Sequence, residues 1–279
     1  MSKYHTKDIQ YVKSVTLRVK DIVKMLDFYL NILKFTLIDK QDNRYFLGTS
    51  EKEVLLILEE NTNARQRGRT TGLYHFAILL PSRVDLGIVL RHLIRIKYPL
   101  TGLSDHHVSE AIYLDDPEGN GIEIYHDRPS EAWIINNGSV NMTTERMDYQ
   151  SVLKDAEASP HFSELPMQTV MGHIHLHVND LVKADRFFID ILGFAKVLEY
   201  RGSATFTSDQ MYHHHIAYNT WNGRTNQNMK ENDLGLIEYN INLPQERLSA
   251  LLSRLKSSNI EYIHKQNTIR ILDINNTNV

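Results

Sequence analysis

The sequence "DDPEGNGIEIYHD" (residues 115–127) joins a turn to a short strand. Its Pro, Gly and Asn residues are typical of a tight turn, and the alternating apolar residues that follow predict a β-strand. Glu123 stands between Ile122 and Ile124, so its side chain projects from the opposite face of that strand. A carboxylate on that face is either exposed to solvent or a ligand within a site.

This strand closes one of four similar units along the chain. The opening strands align without gaps: "SVTLRVKDI" from Ser14, "HFAILLPSR" from His75, "HIHLHVNDL" from His173 and "EYNINLPQE" from Glu238. An amphipathic helix is predicted after each of them, at residues 21–33, 83–96, 180–192 and 245–258. Further strand-like runs close the units with "EVLLILEE", "GIEIYHD", "HHHIAYNT" and "TIRILDIN". The repeat predicts an α+β fold built from four βαβββ units.

The interval between the second and third units is longer than the other two. The excess is polar, rich in Asn, Ser and Thr, and contains one short helix candidate, "DYQSVLKDAEA". We therefore expect a first domain at residues 9–128, a linker with a short helix at 129–168, and a second domain at 169–279.

Composition excludes several classes of function. The 279 residues carry a formal net charge of −3 with no basic run, which argues against nucleic acid and membrane partners. No apolar stretch has the length of a membrane-spanning helix and the first residues show no secretory signal, so we expect a cytoplasmic protein. The absence of cysteine excludes disulfides, thiolate catalysis and cysteine-ligated metals. Any metal must therefore be held by imidazole and carboxylate groups.

The four aligned strand-opening positions are Ser14, His75, His173 and Glu238. All of them except Ser14 carry residues that can bind a metal. If His75, His173 and Glu123 face one cavity, they provide two imidazoles and one carboxylate, a set that suits non-haem Fe(II), with Mn(II) as a substitute. Zinc also accepts these ligands, so the residue types leave the metal open.

Further histidines are concentrated in the third unit. His173 alternates with two more histidines along "HIHLHV", and the triplet "HHH" (residues 213–215) heads the last predicted strand of the unit. Because neighbouring strand residues point to opposite faces, His214 is expected on one face, with His213 and His215 on the other. At least one of the three should face the cavity, where an imidazole can exchange a proton near neutral pH.

These motifs resemble the vicinal oxygen chelate superfamily, which includes glyoxalase I, the fosfomycin and bleomycin resistance proteins, and type I extradiol dioxygenases. Within it, "GLYHFAILLP", "DHHVSEAIYLDDPEGNGIEIYHDRP", "GHIHLHV" and "HHHIAYNTW" resemble the catechol 2,3-dioxygenases of bacilli, over nearly the whole chain. The resemblance implies two vicinal oxygen chelate-type domains with curled mixed sheets. It also implies Fe(II)-dependent cleavage of catechol-like diols by dioxygen, and exposed edge strands that can form a homo-oligomer.

The resemblance carries the functional residues over position by position. The metal ligands correspond to His75, His173 and Glu123, and the acid–base histidine corresponds to His214. A tyrosine that contacts the substrate corresponds to Tyr113, and a nearby histidine to His106, with His107 as an alternative. The substrate pocket is expected to include His175, His215 and Tyr125. A glyoxalase-like metal-dependent isomerase, a thiol transferase or a non-enzymatic binding protein remain alternatives, and hydroquinones are the alternative substrates.

The fourth unit departs from the pattern of the better-known two-domain dioxygenases. It has Glu238 where a histidine is expected, and it ends without the Asp-Pro-x-Gly turn and its glutamate. We infer that the second and third units form the cavity and that the first and fourth pair as a non-catalytic counterpart. The rival arrangement uses His173 and Glu238 with His214 or His215 as ligands.

Overall fold

The computed structural model describes residues 2–279, which form two large mixed sheets with helices packed against them. The first unit has the predicted order of one strand, one helix and three strands. Its helix starts as an α-helix and continues as a π-helix at Asp27–Ile32. Its elements are β1 (Tyr11–Val19), α1 (Ile22–Leu26), β2 (Thr36–Gln41), β3 (Arg44–Gly48) and β4 (Val54–Glu60).

The second unit follows the same order, and a short linker helix comes after it. The elements of the second unit and the linker are β5 (Gly72–Leu79), α2 (Arg83–Arg95), β6 (Gly102–Asp105), β7 (Ser109–Asp115), β8 (Gly121–Asp127), β9 (Ile135–Asn136), β10 (Ser139–Val140), β11 (Glu145–Arg146) and α3 (Tyr149–Asp155). A 3-10 turn at Ser130–Ala132 precedes β9. Helix α3 lies within the predicted helix candidate, and Asp148 caps it by accepting from the Ser151 amide.

The third and fourth units complete the chain. Their elements are β12 (Val170–His177), α4 (Leu181–Asp185), β13 (Ala195–Tyr200), β14 (Ala204–Ser208), β15 (Ile216–Asn219), β16 (Gly235–Asn242), α5 (Leu248–Ser257), β17 (Ile263–Lys265) and β18 (Thr268–Arg270). Helix α4 continues as a π-helix at Arg186–Ile191, as α1 does in the first unit. A 3-10 turn at Gln245–Arg247 leads into α5.

Each of the two large sheets combines a unit from the first predicted domain with a unit from the second. One sheet has the order β11-β6-β7-β8-β5-β12-β15-β14-β13, and the other has the order β16-β1-β4-β3-β2. The second and third units therefore share a nine-stranded sheet through the antiparallel pair β5 and β12. The first unit shares the five-stranded sheet with β16 of the fourth. This pairing is the one inferred from the distribution of potential metal ligands among the four units. The division at residues 128 and 169 follows chain order and stays a prediction.

The closing part of the fourth unit differs from the sequence expectation. The run "TIRILDIN" forms a strand only at β18, and the chain then turns at Asp273, whose carboxylate accepts the backbone amides of Asn275 and Thr277. The segment pairs with β16 through the isolated bridge between Glu238 and Asn278, and the Tyr239 hydroxyl donates to Asp273 at 3.1 Å. The Asn- and Thr-rich tail favours such side-chain-capped turns over a strand.

Apolar side chains from both sheets and the helices fill one large core, and two smaller apolar clusters are separate from it. Aromatic neighbours such as Phe28 and Tyr29 in the first unit, and Phe187 and Phe188 in the third, are all buried within the π-helical segments. Among residues 2–279, no helix has the length and apolar character needed to cross a membrane.

Candidate metal centre and cavity

A cavity of about 690 Å³ opens where β5 meets β12, at the junction of the second and third units. Its walls come from both units and from the linker, which contributes Met142, Thr143 and Thr144. The cavity has the size of a small-molecule site. The cavity therefore lies at the junction of the second and third units, where the sequence predicts the site.

Two imidazoles and a carboxylate converge at this seam. Nε2 of His75 and Nε2 of His173 each lie 3.1 Å from the same carboxylate oxygen, Oε2 of Glu123. One ligand atom from each residue lies within 4.8 Å of the other two, and all three residues are buried. Two atoms that each bind one ion at about 2.1 Å, at right angles, are about 3 Å apart, so this spacing fits a shared metal.

A second observation supports a metal at this position. Nε2 of His75 is buried and makes no hydrogen bond among residues 2–279, although it lies 3.1 Å from Oε2 of Glu123. A buried polar atom without a partner costs about 1–3 kcal/mol, and coordination removes that cost. The three residues therefore fit a divalent cation.

The protonation states also suit metal binding. Burial lowers the pKa of the His173 imidazole to about 4, against the opposing attraction of the Glu123 carboxylate. Burial alone would raise the pKa of Glu123, but the rings of His173 and His75 beside it lower this pKa well below its usual range. Near neutral pH the carboxylate is ionised and the His173 ring is neutral, which is the state that a metal requires of its ligands.

A β-bulge in β5 places an extra aromatic ring beside the metal ligands. The register of β5 against β12 shifts at Tyr74, so this ring lies on the cavity side together with the neighbouring His75. The Tyr74 ring centroid is 4.8 Å from the ring of His75 and 5.2 Å from that of His175. His175 lines the cavity, but its Nε2 lies 2.9 Å from the amide nitrogen of Asn219, which donates to it. This ring is therefore a wall residue rather than a fourth ligand.

Tyr113 and His106 form a hydrogen-bonded pair on the cavity wall. Nδ1 of His106 donates to the Thr143 carbonyl at 2.6 Å, and with the ring proton on Nδ1 its Nε2 accepts from the Tyr113 hydroxyl at 2.7 Å. Burial, and then the nearby charge of Glu123, raise the pKa of Tyr113 well above its usual value. The phenol thus keeps its proton. The alternative His107 is half exposed, lies 3.3 Å from Glu145 and does not line the cavity.

The histidine triplet lies in the loop immediately before β15, rather than in the strand itself. His214 lines the cavity, and its ring centroid is 4.0 Å from that of His173. Burial lowers the pKa of His214 well below its usual value, and the neighbouring imidazoles lower it further. His213 is fully buried behind His214, and its Nε2 lies 2.9 Å from Oδ1 of Asp127.

Two residues predicted for the substrate pocket lie behind the cavity wall. Nδ1 of His215 accepts the Asp209 amide at 3.1 Å, and its Nε2 donates to the Tyr4 carbonyl at 3.0 Å, so the ring faces the N-terminal segment. Tyr125 is fully buried, with its ring centroid 5.0 Å from that of His173. A Cβ on Gly172 would lie 2.0 Å from Oη of Tyr125, so only glycine leaves room for this ring.

Sequence reasoning did not identify several residues that build the site. Asp127 carries a signal, because it follows Glu123 by four residues on the same face of β8. Phe206, Trp221 and Met142 line the apolar part of the cavity, and nothing in their local sequence marks them.

The rival ligand set is not brought together by the fold. Glu238 belongs to β16 in the other sheet. Its carboxylate lies 3.3 Å from Arg270 and 3.9 Å from Arg44, and it is not part of the metal-binding group found among the described residues.

Comparison with known proteins agrees with this architecture. Residues 11–124 match the model of the glyoxalase/bleomycin resistance protein/dioxygenase superfamily. A catechol-2,3-dioxygenase of Bacillus subtilis (strain 168) is 43% identical over 262 residues, covering 92% of this chain and 91% of the relative. The chain belongs to this superfamily. The expected α+β fold with curled sheets is confirmed, and so is the resemblance to the superfamily.

Solved structures share the glyoxalase-type fold over almost the entire chain. Glyoxalase I from Zea mays has a TM-score of 0.55 at 13% identity, covering 96% of this chain and 90% of the maize chain. The cppA protein from Streptococcus pneumoniae TIGR4 has a TM-score of 0.58 at 14% identity over 97% of each chain. At these identities the similarity shows the fold of the superfamily alone.

Proposed function

We propose that this protein is an Fe(II)-dependent extradiol dioxygenase that opens the ring of catechol-like diols. The observation that carries the proposal is the convergence of His75, Glu123 and His173 beside a cavity lined by His214 and Tyr113. Its 43% identical relative is a catechol-2,3-dioxygenase. In the overall reaction, both oxygen atoms of O2 enter the product, a 2-hydroxymuconic semialdehyde.

The metal site would be formed by Nε2 of His75, Nε2 of His173 and the Glu123 carboxylate. When bound, Fe(II) supplies open coordination positions for the diol and dioxygen and the redox chemistry of ring cleavage. Mn(II) is the expected substitute. These metals are favoured because the site offers two imidazoles and one carboxylate. Metals that prefer thiolate ligands are disfavoured because the sequence has no cysteine.

The residues around the metal set provide proton transfer and hydrogen bonds. His214 lines the cavity as a neutral imidazole and would accept a proton from a phenolic hydroxyl of the substrate. Tyr113 keeps its proton and donates a hydrogen bond to Nε2 of His106 before substrate binds, at 2.7 Å. Donation to negative charge that develops on substrate oxygen requires this hydroxyl to rotate from His106 towards the substrate.

The cavity favours neutral aromatic substrates. Apolar side chains line the part formed by the third unit, among them Leu198, Phe206 and Trp221, and no lysine or arginine from residues 2–279 lines it. A carboxylated ring would be buried there without a cationic partner, which is costly. At about 690 Å³ the cavity also has room for substituents beyond a single ring.

The proposal is tested by loading the metal-free protein with Fe(II) under anaerobic conditions and adding air-saturated catechols or hydroquinones. We expect catechols to give coloured ring-opened products with one O2 consumed per diol. Protein loaded with Zn(II) should be inactive. Turnover of a thiol adduct without O2 consumption would indicate an isomerase or transferase. Tight binding of aromatic compounds without metal or turnover would indicate a binding protein, and either result would overturn the proposal.

A further inference from the structure

A continuous hydrogen-bonded chain leads from the cavity into the protein through two histidines. Nδ1 of His214 lies 2.8 Å from Nδ1 of His213, and Nε2 of His213 lies 2.9 Å from Oδ1 of Asp127. The Tyr212 hydroxyl also donates to the Asp127 carboxylate, at 3.0 Å to Oδ2. His213 is completely buried, so no water competes for its ring nitrogens.

The chemistry of these groups fixes the direction of every hydrogen bond in the chain. An ionised carboxylate only accepts, so Nε2 of His213 must carry the proton that it donates to Asp127. A ring with its one proton on Nε2 presents an acceptor at Nδ1, so the proton in the contact between the two rings belongs to Nδ1 of His214. The opposite direction would place the His213 proton on Nδ1 and leave an unprotonated Nε2 facing a carboxylate oxygen.

This order of protons leaves one nitrogen of His214 with a free lone pair. Nε2 of His214 has no hydrogen-bond partner within the described chain, and the ring lines the cavity. A neutral imidazole with its proton on Nδ1 presents an acceptor at Nε2. The opposite tautomer would present an N–H donor to the cavity instead, and it could not accept a proton there.

We propose that Asp127 and His213 are positioning residues that hold His214 in the Nδ1–H tautomer, with the Nε2 lone pair directed to the substrate. The catalytic consequence rests on the proposed function. There, the O–H bond of the phenol breaks, the oxygen keeps the electron pair, and a new N–H bond forms at Nε2 of His214. The tautomer itself is a property of the folded protein and needs no substrate.

Two substitutions of His213 separate tautomer control from packing. In H213N, the side-chain amide oxygen can take the place of Nδ1 and accept from His214, while the contact with Asp127 is lost. In H213Q, the amide nitrogen can take the place of Nε2 and keep the contact with Asp127, while the acceptor for His214 is lost. Both variants leave His75, Glu123 and His173 unchanged, so metal affinity serves as the internal control.

The first measurement is the tautomer of His214 in metal-free protein labelled with 15N in its histidine rings. Two-bond 15N–1H correlations, assigned through the backbone of residue 214, should show the proton on Nδ1 in wild type and in H213N. In H213Q we expect the proton to occupy Nε2 in a large fraction of molecules. A proton on Nε2 in the wild type overturns the proposal, whether or not the variants fold.

The second measurement is the steady-state kinetics of Fe(II)-loaded protein. Loss of tautomer control should lower kcat of H213Q by roughly 10²- to 10⁴-fold with little change in KM, as incorrect tautomers do in catalytic triads. H213N should recover kcat to within about tenfold of wild type. Equal kcat values in the two variants would refute a positioning role. A wild type with the Nδ1–H tautomer but no ring-cleaving activity would refute the proposed function and leave the tautomer assignment standing.

Discussion

Replacing Glu123 by glutamine is the most direct test of the candidate metal centre. The substitution preserves the size of the side chain but removes the charge that lies 3.1 Å from both imidazole Nε2 atoms. Glutamine still offers a carbonyl oxygen, so the fold around β8 should persist. The divalent cation loses its only anionic ligand in the set, and its affinity should fall sharply.

The expected magnitude follows from the linkage between binding and stability. A metal present at 100 times its Kd stabilises the folded protein by about 2.7 kcal/mol, which corresponds to a Tm increase of roughly 5–10 °C for a chain of this size. Replacing a residue that only hydrogen-bonds to a metal-binding side chain typically lowers metal affinity by about 10- to 100-fold. Replacing the metal-binding side chain itself should therefore lower metal affinity by at least about 100-fold. At the same metal concentration E123Q should then gain only about 0.4 kcal/mol, or roughly 1 °C.

The assay is thermal unfolding of metal-free protein with increasing Mn(II), with each variant compared with its own metal-free Tm. E238Q is the matched control, because Glu238 is also a buried carboxylate but faces Arg270 and Arg44 in the other sheet. We expect E238Q to keep the full metal-dependent shift. A full shift in E123Q together with a lost shift in E238Q would refute the ligand assignment and favour the rival set.

Three further outcomes are expected. Burial lowers the pKa of His5 to about 4. Between about pH 6.5 and 4 the unfolded chain therefore binds a proton at this imidazole that the folded chain does not bind. The folded protein loses stability over this range as the pH falls, whereas above about pH 6.5 this residue causes no loss. Urea titrations of metal-free protein should show that wild type loses about 2 kcal/mol more than H5Q between pH 7 and pH 5, and equal losses would contradict this pKa. Y113F should retain the Mn(II)-dependent Tm shift but lose about 10²-fold or more in kcat for catechol, measured by O2 uptake; an unchanged kcat would remove Tyr113 from the mechanism. Alkyl catechols should be cleaved with a kcat/KM at least about tenfold above that of 3,4-dihydroxybenzoate, and L198K should narrow the gap; a preference of the wild type for the anion would contradict the neutral-substrate assignment.

The repeat made most of the fold predictable from sequence. Strand alternation and helical periodicity act locally, so the opening strand and helix of each unit appear at the predicted positions. The π-helical continuation at Asp27–Ile32 and the shortened close of the fourth unit were not predictable in this way. Both depend on tertiary contacts between segments that are distant in sequence or follow a turn, which local periodicity does not show.

In the candidate site, too, some residues could be predicted from local sequence patterns and others depend on tertiary contacts. Alternation in β8 places Glu123 opposite two isoleucines, and alignment of the repeats points to His75 and His173, so the ligand set could be predicted together with the family resemblance. The partners of His213 and His215 could not. These residues lie in a loop whose contacts come from β8 and from the N-terminal segment, and the strand rule of opposite faces does not extend to a loop.

The long middle interval follows from the pairing of the second and third units in one sheet. After β8 the chain must return to start β12 beside β5. Along this path the linker pairs β11 with β6 of the second unit, and the ring of Trp133 lies 5.8 Å from that of Tyr212 in the third. Helix α3 packs so closely on α2 that a Cβ on Gly87 would lie 2.4 Å from the Val152 carbonyl, and Arg91 donates to the carbonyls of Ala156 and Ser159 at 2.6 and 2.9 Å. Because the same linker supplies Thr143, which fixes His106, its polar composition reflects a structural part of the cavity rather than a free spacer. Shortening it would therefore disturb the site as well as the connection between units.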